Sequence, residues 1–215
     1  MSLPSPLSLL AKAPVVPVVV IERLADAVPL ARALVDGGLP LIEITLRTPV
    51  ALEAVRAVAA QVEGAVVGAG TVVERAQIEA ALEAGATFLV SPGTTPALAE
   101  AFAALQVPVM AGCATASEAM RLFEMGFEVL KFFPAEASGG AGFLKSIAGP
   151  LPHLRFCPTG GIGPGNVMDY LSLPNVLAVG GSWVVPNEAI RSGDFAKVHA
   201  LAAAAATLKR AATFA

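Results

Sequence analysis

The sequence predicts an α/β protein, a (β/α)8 barrel of the TIM type with a short N-terminal helical segment, and three observations carry that prediction. Short apolar runs alternate with helical stretches along the whole chain, giving eight such units. The connections between them are a few residues long, which forces parallel strands and right-handed crossovers. Only a short N-terminal segment is left over, so the 215 residues read as one domain over 1–215, a length near the lower end for this barrel. A doubly wound open sheet is the alternative, but no GxGxxG fingerprint follows the first apolar run.

The units run in order. Val15–Ile21 reads as a strand and Asp26–Asp36 as a helix closed by Gly37 and Gly38. Leu41–Thr45 is the second strand, and Pro49–Val62 the next helix, with proline at its start. Ala65–Thr71 and Glu74–Ala84 follow, then Thr87–Ser91 and Thr95–Leu105, then Val107–Ala111 and Thr115–Met125. Glu128–Phe133 is the sixth strand, followed by a Gly-rich loop and a short helix near Phe143–Ala148. Leu154–Pro158 is the seventh, with a helix near Pro164–Leu171, and Val176–Val179 the eighth; Asn187–Leu208 supplies the closing helix. The alanine run Ala202–Ala206 belongs to that helix, since alanine is the best helix former.

Composition narrows the function classes. Hydrophobic residues make up 55% of the chain and charged residues 14%, ample for a core and the opposite of a disordered composition. A net charge of −3 supplies no basic field for nucleic acid. Mean hydropathy is high, +0.71, yet the longest uncharged stretches, Ala101–Ser117 and Tyr170–Asn187, are interrupted by Gly and Pro. Neither offers the roughly 20 apolar residues a bilayer span needs. The N-terminus lacks a charged segment ahead of an apolar one, so it makes a poor signal peptide. Cys113 and Cys157 are the only cysteines and form no CxxC pair, which fits a reducing cytoplasm.

In this fold the chemistry lies at the C-terminal ends of the strands. Strand alternation puts Lys131 on the face of Val129 and Phe133, towards the barrel interior, with Leu130 and Phe132 towards the helices. Of the five lysines, Lys12, Lys131, Lys145, Lys197 and Lys209, it alone falls within a strand. Desolvation in an apolar barrel favours the neutral amine, the form that attacks a ketone. Glu43, on the second strand, shares parity with Leu41 and Thr45 and also faces inward. One carboxylate beside such an amine serves the proton transfers of Schiff-base aldol chemistry. The plain structural alternative for both is a buried ion pair. Arg47, just beyond that strand, offers a planar fork for a carboxylate, or is a surface arginine. Pro158-Thr159-Gly160-Gly161-Ile162-Gly163 follows strand seven, and Gly180-Gly181-Ser182 follows strand eight. Gly-rich turns there, with helix N-termini beyond them, are a recurrent phosphate cradle; otherwise the glycines only permit tight turns. His153 and His199 fall away from these ends, so no two- or three-histidine metal site is expected. Cys113 and Cys157 read as small apolar fillers.

At these residues the chain resembles the 2-keto-3-deoxy-6-phosphogluconate (KDPG) aldolase family, which overlaps 4-hydroxy-2-oxoglutarate aldolase. The likeness runs from about Val15 to Gly193 and rests on Glu43-Ile44-Thr45-Leu46-Arg47-Thr48, Gly68-Ala69-Gly70-Thr71, Ser91-Pro92-Gly93, Lys131-Phe132-Phe133-Pro134-Ala135-Glu136, Arg155-Phe156-Cys157-Pro158-Thr159-Gly160-Gly161-Ile162 and Gly180-Gly181-Ser182-Trp183. The resemblance implies a homotrimer of barrels and a class I aldolase that splits KDPG into pyruvate and glyceraldehyde 3-phosphate in the Entner–Doudoroff route, through a covalent imine on Lys131 and without a metal. It implies Glu43 as general acid/base, Arg47 and Thr71 as ligands of the pyruvate carboxylate, and Pro92 and Phe133 as walls of the pyruvyl pocket. Thr159, Gly160, Gly161 and Ser182 would hold the distal, phosphorylated end. Ala111-Gly112-Cys113-Ala114-Thr115 departs from the family pattern, and the expected consequence is a different pocket shape on the aldehyde side.

Three rivals remain at this level. A related aldolase of 4-hydroxy-2-oxoglutarate or of another 2-keto-3-deoxy sugar acid would share the pyruvyl half. A sugar-phosphate isomerase or epimerase would use acid/base groups without an imine. A non-catalytic barrel would leave a buried Lys–Glu pair without purpose, a costly arrangement.

Overall fold

Eight parallel strands alternate with helices in the computed structural model, which describes residue 3 and residues 5–211. A short helix, α1 (Leu7–Leu10), precedes β1 (Val15–Val19), α2 (Ala27–Asp36), β2 (Leu41–Thr45) and α3 (Ala51–Gln61). Then come β3 (Val66–Gly70), α4 (Arg75–Glu83), β4 (Leu89–Val90), α5 (Pro96–Ala103), β5 (Val109–Cys113) and α6 (Ala116–Glu124). The chain continues through β6 (Val129–Phe132), α7 (Gly140–Ile147), β7 (Arg155–Pro158), α8 (Val167–Leu171), β8 (Val179–Gly181), α9 (Asn187–Ser192) and α10 (Phe195–Ala206). The strands pair in the order β7-β6-β5-β4-β3-β2-β1-β8. Parallel bridges Phe156↔Val176 and Thr159↔Gly180 bring the two outer strands together and close the circle into a barrel.

Strand alternation sorts the apolar side chains into two layers. Val16, Leu41, Phe88, Val90, Met110, Val129 and Cys157 form an inner cluster, sealed from below by Leu10 of α1. Their alternates, among them Val15, Ile42, Ile44, Leu130, Phe132 and Phe156, join the helices in the outer core. The predicted parity of the sixth strand is therefore correct: Val129 is inside, while Leu130 and Phe132 meet the helices.

Local signals explain most boundaries. Thr115 and Glu118 form a capping box at α6, as do Glu74 and Gln77 at α4, and Thr95 caps α5 ahead of Pro96. Such caps satisfy N–H groups that the first helical turn leaves without partners. Two expectations need correction. The eighth strand is not Val176–Val179 but Val179–Gly181, because pairing of Val15, Val16 and Pro17 with Val179, Gly180 and Gly181 sets its register. Gly180 and Gly181 thus lie within the strand rather than after it. The closing helix is two helices, since Gly193 adopts φ 71° and Asp194 recaps the chain by accepting from the Lys197 N–H. Beyond α10 the guanidinium of Arg210 donates to the carbonyls of Leu10, Ala11, Ala13 and Leu177, tying the C-terminal segment to the floor of the barrel.

Candidate active site

β2 and β6 stand on opposite sides of the barrel, and each sends one charged side chain inward. Lys131 Nζ donates to Glu43 Oε1 at 2.9 Å, with both side chains at most 4% exposed. Bare backbone beside them makes this possible. A Cβ on Gly70 of β3 would collide with the Glu43 carboxylate, and one on Gly68 would collide with the Phe88 ring. Gly112 of β5, paired in register with Lys131, lies under the backbone of Ser91-Pro92-Gly93, where a Cβ would clash. The Ser91 hydroxyl, which accepts from the Gly112 N–H at 3.0 Å, fixes that crossing.

Lys131 lies at the floor of a cavity of about 170 Å³ at the C-terminal ends of the strands, with Glu43 hydrogen-bonded to its amine but not itself part of the lining. Arg47 borders it on one side, and Thr159, Gly160, Gly161 and Ser182 border it on the other. Phe133 stands beside the amine, its ring centroid 5.5 Å from Lys131 Nζ. Val18, Val20, Ile162 and the inward face of Gly180 complete the lining. The three apolar side chains were missed in the sequence. Strand parity held a usable signal for two, since Val18 and Val20 follow Val16 by twos along the predicted strand Val15–Ile21. A larger hollow of about 570 Å³ lies at the other end of the barrel, beside Met125 and Phe127. Among the described residues Glu128 is the only ionisable one on its wall, so size alone does not locate the chemistry.

Arg47 donates through Nε to the Thr71 hydroxyl at 3.0 Å. Thr71 itself adopts φ 61°, a left-handed conformation that a β-branched residue seldom takes and that costs about 1–3 kcal/mol. Thr71 and Arg47 thereby fix each other at the mouth. The remaining guanidinium N–H groups find no acceptor among the described residues.

Gly160 and Gly161 both have positive φ, 104° and 77°, which turns the chain back over the cavity after β7. Among the described residues no acceptor takes the backbone N–H of Gly161, Ile162 or Ser182. The helix termini expected beyond these turns contribute less than anticipated: α8 starts only at Val167 and α9 at Asn187, and they have 5 and 6 residues. Among the described residues, the donors left without a partner on this side of the cavity are loop N–H groups and the Ser182 hydroxyl.

Not every expected residue reaches the cavity. Thr71 acts through Arg47, and Pro92 lies at the end of β4 above Gly112. Gly181 is in β8, where any Cβ would strike the Trp183 ring. Ala111–Thr115 does not border the cavity either, which corrects the expected effect on pocket shape: Cys113 is in the outer core and Thr115 caps α6. Burial pushes the thiols of Cys113 and Cys157 up to about 12, so both are inert fillers. His153 and His199 are exposed and remote, His153 being stacked on Phe123. Among the described residues no helix is long and apolar enough to cross a membrane.

Comparisons with known proteins point to one family. The KDPG and KHG aldolase family matches residues 7–201. The chain is 49% identical over 195 residues to the KHG/KDPG aldolase of Escherichia coli (strain K12), covering 91% of this chain and 92% of that one. It superposes with a TM-score of 0.92 and 44% identity on a Legionella pneumophila KDPG aldolase holding pyruvate captured at low pH as a covalent carbinolamine, over 94% of this chain and 98% of that one. A 2-keto-3-deoxy-6-phosphogluconate aldolase of Zymomonas mobilis ATCC 29191 gives a TM-score of 0.91 and 49% identity, over 96% and 98%.

Proposed function

This chain belongs to the KDPG and KHG aldolase family, and from that premise we propose that it cleaves KDPG to pyruvate and glyceraldehyde 3-phosphate through a Schiff base on Lys131. The carrying observation is the Lys131–Glu43 pair, 2.9 Å apart, whose lysine faces a cavity that is also lined by an arginine and by the glycines after β7. A neutral Lys131 amine adds to the C2 ketone, and the carbinolamine loses water to give the imine. Glu43 takes the proton of the C4 hydroxyl. The C3–C4 bond breaks, its electron pair passing into the enamine as the aldehyde leaves. The carboxylic acid of Glu43 then returns a proton to C3, and water releases pyruvate from the lysine.

Arg47, held by Thr71, receives the substrate carboxylate, and Phe133 confines the pyruvyl group. Thr159, Gly160, Gly161 and Ser182 receive the phosphate, with backbone donors and one hydroxyl directed at a dianion. The assembly is proposed to be a cytoplasmic homotrimer serving the Entner–Doudoroff route. Light scattering at micromolar concentration should return three chains per particle, and a fully active monomer would refute the need for assembly.

Pyruvate release from KDPG, followed with lactate dehydrogenase, tests the activity itself. The rival substrate 4-hydroxy-2-oxoglutarate shares the pyruvyl half, so discrimination must come from the distal end. A shorter carboxylate reaches the glycine loop poorly, so kcat/KM should be well above its rival's for KDPG. Losing one hydrogen bond to a charged group costs roughly 1.5–3 kcal/mol, about ten- to a hundredfold. Ser182→Ala is therefore predicted to weaken KDPG turnover by that factor, mainly through KM, with pyruvate imine formation intact. Equal damage to both substrates would show that Ser182 does not read the phosphate.

A further inference from the structure

Glu136 and Tyr170 take no part in the chemistry above, yet they meet behind the glycine loop. Glu136 opens the 3-10 turn after β6 (Glu136–Ser138). The N–H groups of Ala135 and Glu136 donate to the carbonyls of Thr159 and Gly160, at 2.8 and 3.1 Å. That turn is thus the back wall of the loop. The stem of Glu136 lies across Gly161, where a Cβ would come within 2.6 Å of Glu136 Cγ. The far side of the loop is held by Asn166, which donates to the Gly161 carbonyl at 3.1 Å and accepts from the Gly163 N–H at 2.8 Å.

Where the Glu136 carboxylate points then matters. Its stem is beside N–H groups that face an anion, and a free carboxylate there repels a phosphate and competes for the same donors. In the structure it takes none of those donors, because the hydroxyl of Tyr170 donates to Glu136 Oε1. Tyr170 is the only tyrosine in the chain and is fully buried on α8, the helix that follows the loop. Burial, and then the carboxylate beside it, raise its phenol well above the usual range, so it remains a donor.

We propose that the Glu136–Tyr170 hydrogen bond is a positioning device for phosphate binding: it parks the Glu136 carboxylate on α8, away from the loop N–H groups, and keeps the Gly160–Gly161 cradle open to a phosphate dianion. This rests on the phosphate reading above. Both side chains are positioning residues, since neither touches the reacting atoms.

Tyr170→Phe keeps the ring and its packing but frees the carboxylate. KM for KDPG and the competitive Ki of inorganic phosphate should rise together by about tenfold, the worth of one hydrogen bond to a charged group. The kcat should stay within about twofold, and borohydride trapping of pyruvate should be unchanged. Adding Glu136→Gln to Tyr170→Phe removes the charge and should bring both constants back towards wild type, a recovery that mere loosening of the fold does not predict. Glu136→Gln alone, which still offers the phenol an acceptor, should lower the Ki of inorganic phosphate by about two- to threefold through relief of a partly screened repulsion. Unchanged constants in Tyr170→Phe overturn the proposal, as does a parallel loss of imine formation, a double variant no better than the single, or a raised Ki in Glu136→Gln. If the wild type traps pyruvate but neither cleaves KDPG nor binds inorganic phosphate, the phosphate reading fails and this role falls with it. Normal wild-type behaviour with an inert Tyr170→Phe rejects the positioning role alone.

Discussion

Lys131→Met is expected to abolish covalent trapping of pyruvate by borohydride and to lower KDPG cleavage by about 10⁴-fold or more, the range in which loss of the nucleophile disables other covalent catalysts. The expectation follows from placement. Among the described residues Lys131 has one hydrogen-bond partner, Glu43, and it is 3% exposed at the base of a cavity that also holds an arginine and the paired glycines. The substitution keeps the length of the stem but leaves Glu43 buried without its cation, and breaking a buried ion pair costs about 3–5 kcal/mol. A thermal melt is therefore needed beside the kinetics, so that a lost reaction is not confused with a lost fold. Peptide mapping of the trapped wild type should locate the adduct at Lys131. An adduct on Lys12, Lys145, Lys197 or Lys209, or an active enzyme that traps nothing, would sink the imine mechanism.

Glu43→Gln is expected to reduce kcat by ~10²–10⁴-fold, the usual worth of general acid–base catalysis, while the folded structure persists. The amide retains an oxygen that can accept from Lys131 Nζ, and it fits the space that Gly70 leaves open. What it cannot do is hold and return a proton. Two steps need that proton, removal from the C4 hydroxyl and delivery to C3, so cleavage and exchange of the pyruvate methyl hydrogens should slow together. A fall of less than threefold would assign the proton to water or another group. Comparing this variant with Lys131→Met separates the roles: Glu43→Gln should still trap pyruvate slowly, and Lys131→Met should not trap it at all.

The order of elements and the inward side chains were legible in the chain because they depend on local periods. Apolar runs of strand length, helix caps and glycine stops place β2 at Leu41–Thr45 as expected, and the remaining strands overlap their predicted spans. Alternation by two points Lys131 and Glu43 inward without any knowledge of their neighbours. Gly160 and Gly161 announce a tight turn because only glycine takes positive φ freely.

What the tertiary structure alone decided involves residues far apart in the chain. Glu43 and Lys131 are 88 positions apart, and their meeting depends on barrel closure, which sets β2 across from β6. The same closure moved β8 onto Gly180 and Gly181, because pairing with β1 outweighs the poor strand propensity of glycine. Thr71 carries no local sign of its left-handed backbone, which is held by its place at the end of β3 and its bond to Arg47. The Tyr170 bond to Glu136 likewise depends on α8 crossing behind the β6 turn. Periodicity sets which way a side chain faces; which side chain it meets depends on long-range packing, and that is where the site was assembled.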